Sequence, residues 1–123
     1  MKKQKSIEVL VIEADDDARE EMKKFLEGVG GFNVLAISRL YAAQTLIEEA
    51  RPPFDVVVIG DVAHNIAWVR RVRAAHPTLQ MSGRSKDARV ALQLHGAGCN
   101  GASSGPISPD YANILRRMAS GET

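Results

Sequence analysis

The chain has 123 residues, which is the length of one domain with a single hydrophobic core, and 16 Lys and Arg balance 15 Asp and Glu. This balance excludes the strong net charge that would direct a whole domain to nucleic acid or to a membrane surface. A single cysteine excludes an internal disulfide and is typical of a reducing compartment, so we expect one cytoplasmic domain, residues 1–123, without direct nucleic-acid or membrane contact.

The chain begins with a basic segment, Met1–Lys5, and the apolar run Val9–Ile12 follows shortly after it. Acidic residues bound this run on both sides, so it is too short for a signal peptide or a membrane span and predicts a first β-strand. A segment with helical periodicity comes next. Asp17 and Glu20 have the spacing of a capping box at its start, and glycines end it.

Two further apolar runs, Phe32–Ile37 and Phe54–Ile59, are predicted as the second and third strands, with a helix between them. The later run contains four consecutive β-branched residues, Val56–Ile59. Polar residues do not alternate with them, which is typical of a central strand covered on both faces. Gly60 and Asp61 follow directly, at the carboxyl end of the strand, where open parallel sheets carry their chemistry.

The second half of the chain has weaker strand signals. Short runs near Leu79–Ser82 and Cys99–Ser103 predict the fourth and fifth strands. We expect Asp61 to be the N-cap of the third helix, Ser85 to open the fourth, and Ser108-Pro109 to start the fifth. Strand and helix thus alternate five times with short links, which predicts a doubly wound parallel α/β sheet.

This order of elements, with acids after the first strand and an Asp near the end of the third, resembles the receiver domain of two-component response regulators. The resemblance covers almost the whole chain and implies a five-stranded flavodoxin-like sheet of order 2-1-3-4-5. In that family two acids after the first strand bind magnesium, and an Asp ending the third strand accepts a phosphoryl group. A Thr or Ser ends the fourth strand, a switch aromatic lies on the fifth, and a Lys-Pro pair follows it.

Two of these family positions keep their chemistry in the present chain. Glu13 retains the first acid, and Ser82 is expected to retain the hydroxyl of the fourth strand. The remaining positions are degenerate: Ala14 replaces the second acid, Gly60 the acceptor, Ala102 the switch aromatic and Gly105 the lysine. Because phosphoryl transfer to a carboxylate needs the acceptor, a metal and a fixed cation together, we expect a pseudo-receiver that is not an enzyme and binds no cofactor.

Two alternatives remain open. In the first, Asp61 is the phosphoacceptor of a true receiver, and Glu13, Asp15 and Asp61 are the Mg²⁺ ligands. A one-residue shift reverses the face of a strand side chain, so this reading needs a bulge at Gly60. In the second, the chain is a small-ligand-binding flavodoxin-like domain, and a chromophore or nucleotide would co-purify with it.

The resemblance also implies a partner surface, since receivers commonly dock through the fourth helix, fifth strand and fifth helix. Arg84, Arg89 and Arg116 offer a basic rim in this region for an acidic partner. The expected partner is another protein, a fused effector domain, or a second copy of the chain bound through the same face.

Overall fold

The computed structural model describes residues 6–121, and the basic segment Met1–Lys5 lies outside them. Five parallel strands form one sheet of order β2-β1-β3-β4-β5, which confirms the predicted fold class and strand order. The strands are β1 (Ile7–Ile12), β2 (Phe32–Ile37), β3 (Val56–Ile59), β4 (Met81–Ser85) and β5 (Gly101–Ser104). The helices are α1 (Asp16–Val29), α2 (Ala43–Glu49, preceded by a 3₁₀ turn at Leu40–Ala42), α3 (Asn65–Ala75), α4 (Ala88–Ala97) and α5 (Pro109–Ala119). Among the described helices, none has the length and apolar character needed to cross a membrane.

The sheet is covered on both faces, and β1 and β3 lie at its centre. Side chains of these strands alternate between two apolar clusters. Val56 and Val58 pack with α1 and α5, whereas Val57 and Ile59 pack with α2, α3 and α4. All four are fully buried, as the unbroken β-branched run predicts.

The fourth and fifth strands differ from their predicted positions. β4 starts two residues later than expected and runs through Ser85, and β5 is Gly101–Ser104. The sequence of β4 lacks an apolar run because α4 lies very close to it: a Cβ on Gly83 would lie 2.8 Å from the Cβ of Leu94. A small residue is required there by a helix that comes later in the chain.

The predicted helix starts were partly wrong. α1 is capped by Asp15, whose carboxylate accepts from the Ala18 N–H at 2.8 Å, and α4 is capped by Asp87. α3 begins at Asn65, after His64 in the left-handed region at φ 67°, so Asp61 is not its N-cap. Ser108 does precede α5, as predicted, with proline at its start.

Candidate functional site

The carboxyl ends of the strands enclose a crevice of about 480 Å³ between α1 and the loop that leads into α5. Glu13 follows β1, Gly60 follows β3, Ser85 ends β4 and Gly105 follows β5, and all four line this crevice. It lies beside the point where the strand order reverses, between β1 and β3, which is where ligands bind in open α/β sheets. The crevice thus lies at the carboxyl ends of the strands, where the sequence predicted the chemistry to gather.

Glu13 occupies the space above Gly60. A Cβ on Gly60 would collide with the Glu13 carboxylate, its Cδ lying 2.9 Å away, and would lie 3.2 Å from the Ile12 carbonyl oxygen. The two carboxylate oxygens of Glu13 accept backbone N–H groups, from Asp61 at 3.2 Å and from Asp15 at 3.1 Å. Glu13 is thus folded back across Gly60, the residue that the family resemblance aligns with the phosphoacceptor.

Asp61 turns toward the fourth strand. Its Oδ1 accepts the Ser85 hydroxyl at 2.6 Å, and its Oδ2 accepts the Lys86 N–H at 2.9 Å. The Ser85 Oγ in turn accepts the Asp87 N–H at 3.0 Å. Asp61 therefore ties the end of β3 to the loop between β4 and α4, a connection that the N-cap prediction missed.

The loop after β3 is held by a residue that sequence reasoning did not identify. The buried Asn65 side chain donates from Nδ2 to the Gly60 carbonyl at 3.0 Å, and the Val62 N–H reaches the same oxygen at 3.0 Å. The local sequence signals this tether only by placing a polar residue, Asn65, at the start of a helix that follows Gly60.

The prediction that Ser82 supplies the hydroxyl at the strand end is wrong, because the strand ends at Ser85. Ser82 is 2% exposed, and its Oγ lies 2.7 Å from the Tyr111 hydroxyl inside the core. Burial raises the pKa of Tyr111 to about 12, and the hydrogen bond to Ser82 and the charge of Arg84 oppose that rise in part.

Arg84 places a cation beside Gly105, the residue that the family resemblance aligns with the lysine. Its guanidinium donates to the Ser103 Oγ at 2.9 Å and to the Gly105 carbonyl at 2.6 Å. The same group lies 4.8 Å from the centre of the Tyr111 ring, within cation–π range. Arg84 is half-buried, and these hydrogen bonds join its guanidinium to β5 and the loop after it; its role in partner binding stays a prediction.

The candidate Mg²⁺ ligands do not converge on one point. Glu13 accepts two backbone N–H groups, the Asp15 carboxylate caps α1, and Asp61 is bonded to Ser85 and Lys86. Within residues 6–121, no group of three or more His, Cys, Asp and Glu side chains is placed to hold a metal ion. The residues present therefore do not fit the ion that the receiver chemistry requires.

The arginines predicted to form the partner surface do not all lie on one face of the molecule. Ala102 is exposed on β5, and Arg89 is exposed on α4 with its Nε 3.7 Å from the Asp87 carboxylate. Arg116 instead lies on the opposite flank of α5, where its guanidinium is 5.2 Å from the centre of the Phe32 ring. Between α4 and β5 lies a shallow groove of about 480 Å³, and Leu92 on its rim is 72% exposed.

No protein-family profile and no curated protein matches the chain. Solved structures do match it. A protein from Burkholderia pseudomallei described as pilus assembly-related has a TM-score of 0.79 and 20% identity, with 98% of this chain and 94% of that one covered. A protein from Burkholderia thailandensis described as the pilus assembly protein CpaE has a TM-score of 0.75 and 23% identity over 93% and 98% of the two chains. The receiver domain of a Francisella response regulator has a TM-score of 0.81 and 16% identity over 96% and 100%.

These identities establish likeness of fold, and the fold agrees with the sheet order and with the crevice at the strand ends. The chain therefore has the fold of response-regulator receiver domains.

Proposed function

We propose that this receiver fold acts in signal transduction by binding a partner protein without being phosphorylated. The observation that carries the proposal is the Glu13 carboxylate lying across Gly60, where the family has its acceptor. An acceptor side chain at that position would have to displace a carboxylate held by two backbone N–H groups. The neighbouring cation, Arg84, is already bonded to the Gly105 carbonyl and so is not free to meet a phosphoryl group.

A second candidate is a true receiver with Asp61 as the acceptor. It is favoured by one observation: the Asp61 carboxylate lines the crevice and lies 2.6 Å from the hydroxyl that ends β4. Against it, both Asp61 oxygens accept hydrogen bonds from the protein, which lowers their nucleophilicity. The nearby carboxylates of Glu13 and Asp15 are also bonded to backbone N–H groups and are not directed at Asp61 as metal ligands. We therefore propose the phosphorylation-independent function as the primary one.

Intact-mass spectrometry after incubation with acetyl phosphate and Mg²⁺ separates the two functions. We expect no added phosphoryl group in the wild-type protein, under conditions that fully modify a phosphorylatable receiver. Asp61→Asn is the matched variant, because it keeps the shape of the side chain and removes the nucleophile. A stoichiometric, Mg²⁺-dependent mass increase that Asp61→Asn abolishes would establish the second candidate instead.

The partner surface that we propose is the α4–β5–α5 face, with Leu92, Ala102 and Arg89 at its centre. The apolar groove beside an exposed leucine supports this choice, and the Arg89 charge favours an acidic partner. Two of the similar structures are described as pilus assembly proteins, so a component of such an assembly is the partner class we propose to test first.

A further inference from the structure

We infer that Asp61 is a built-in anion that fixes the position of α4, and with it the docking surface, without any modification of the protein. Its carboxylate accepts hydrogen bonds from two donors at the end of β4, the Ser85 hydroxyl at 2.6 Å and the Lys86 N–H at 2.9 Å. Hydrogen bonds from neutral donors to an ionised acceptor are among the stronger ones in proteins. The docking part of this inference rests on the proposed function, whereas the positioning of α4 does not.

A chain of hydrogen bonds carries the effect of Asp61 into the helix. The Ser85 hydroxyl has one proton, which it gives to Asp61, and its oxygen accepts the Asp87 N–H. The Asp87 carboxylate then accepts the Arg89 N–H at 2.8 Å in the first turn of α4. Each link sets the orientation of the next, so removal of the Asp61 carboxylate leaves the start of α4 without its anchor.

The surroundings of Asp61 hold its carboxylate in that orientation. Glu13 follows β1, which lies on the opposite side of β3 from β4, and its carboxylate accepts the backbone N–H of Asp61. The following loop is tethered by the bond from Asn65 to the Gly60 carbonyl. Repulsion from Glu13 and attraction from the two β4 donors therefore act in the same direction.

Hydrogen exchange of single amides tests this arrangement. In Asp61→Ala the Lys86 amide loses its acceptor, and we expect it and the Asp87 amide to exchange about tenfold faster or more. Amides of β1 and β3 should keep their wild-type rates. Asp61→Asn retains one acceptor oxygen without the charge and should give an intermediate rate, which serves as the readout if the alanine variant folds poorly.

Anion rescue distinguishes a charged anchor from simple loss of packing. Acetate at tens of millimolar should enter the site vacated in Asp61→Ala and restore slow exchange at Lys86, while chloride at equal ionic strength should not. The Asp61→Ala/Ser85→Ala double variant lacks one donor and should not respond to acetate.

Unchanged exchange at Lys86 in Asp61→Ala would overturn the inference, and so would faster exchange that acetate fails to reverse. These outcomes are independent of the phosphorylation assay. A wild-type protein that gains a phosphoryl group at Asp61 would end the proposed function, and the exchange data would still report whether Asp61 anchors α4.

Discussion

At the scale of single residues, the crevice is defined by the pairing of a glycine with a glutamate. Gly60 has no side chain, and Glu13 uses the space that this creates to reach the N–H groups of Asp61 and Asp15. The two positions depend on each other, because a side chain at residue 60 and the observed Glu13 conformation exclude one another.

Gly60→Ala should therefore destabilise the protein by about 1–2 kcal/mol, since Glu13 must give up two hydrogen bonds to make room. In the Glu13→Ala background the same substitution should cost less, because the obstructing carboxylate is absent. Urea unfolding of the four proteins of the cycle gives the coupling. The control is Gly101→Ala in β5, where an added Cβ meets no atom within 4 Å. Additive effects of the Gly60 and Glu13 substitutions would contradict the mutual exclusion.

The Ser82–Tyr111 pair should behave as a unit in the same kind of experiment. Each hydroxyl is buried, and the two lie 2.7 Å apart. Tyr111→Phe should destabilise the protein by about 1–2 kcal/mol, because it leaves the Ser82 hydroxyl without its partner in the core. The double variant with Ser82→Ala should cost clearly less than the sum of the single changes. A double variant whose cost equals that sum would mean that the hydrogen bond contributes little.

The residue roles that sequence could not supply depend on contacts between distant parts of the chain. Asp61 was expected to cap the helix that follows it, but its donors are Ser85 and Lys86, more than twenty residues later. Capping rules describe neighbours along the chain, and for that reason they gave the start of α5 correctly, at Ser108 and Pro109. A hydrogen bond between the ends of two strands can be predicted only when the bounds of both strands are known. The weak β4 pattern placed the end of that strand three residues too early.

At the scale of elements, the central strands were predictable and the outer ones only in part. β3 is buried on both faces, so its composition alone identifies it. β4 contains Gly83, against which α4 packs closely, Ser82, which belongs to the core hydroxyl pair, and Ser85, whose hydroxyl donates to Asp61. These roles are set by contacts with neighbouring elements, so the local sequence around β4 does not reveal them.

The groove between α4 and β5 leads to a prediction about association. Leu92 is 72% exposed beside it, and burial of such a side chain in an interface is favourable. A second copy of the chain is the alternative to a different partner protein on this face. If one binds there, sedimentation velocity should show a dimer whose dissociation constant rises about tenfold or more in Leu92→Glu.

Tyr41→Ser is the matched control for this experiment, because Tyr41 is 79% exposed but lies in the 3₁₀ turn before α2. Its removal should leave the dimer unchanged. Arg116→Glu should also have little effect, since Arg116 faces Phe32 on the other side of α5. Association that weakens in Tyr41→Ser and persists in Leu92→Glu would assign the interface to a different surface.

At the scale of the whole molecule, the two apolar layers hold groups that stay protonated in the folded state. Burial raises the pKa of the Cys99 thiol from 9.0 to about 12, against a smaller opposite effect of the Arg73 charge. Burial likewise raises the pKa of Tyr111 from 10.0 to about 12. Cys99 lies in the layer of α2, α3 and α4, and Tyr111 lies in the layer of α1 and α5, so each side of the sheet contains one such group.

These shifts predict that the free energy of unfolding falls as the pH rises from about 9 toward 12. In that range the unfolded chain releases the Cys99 proton first and then the Tyr111 proton, while the folded protein retains both. The unfolded state then binds fewer protons than the folded state, so stability decreases with pH. Urea unfolding at intervals between pH 8 and pH 11 measures the slope. Cys99→Ala should make it shallower from about pH 9 and Tyr111→Phe only from about pH 10, because the unfolded-state pKa values differ in that order. Variants whose slopes match the wild type throughout would show that neither group is the source of the alkaline instability.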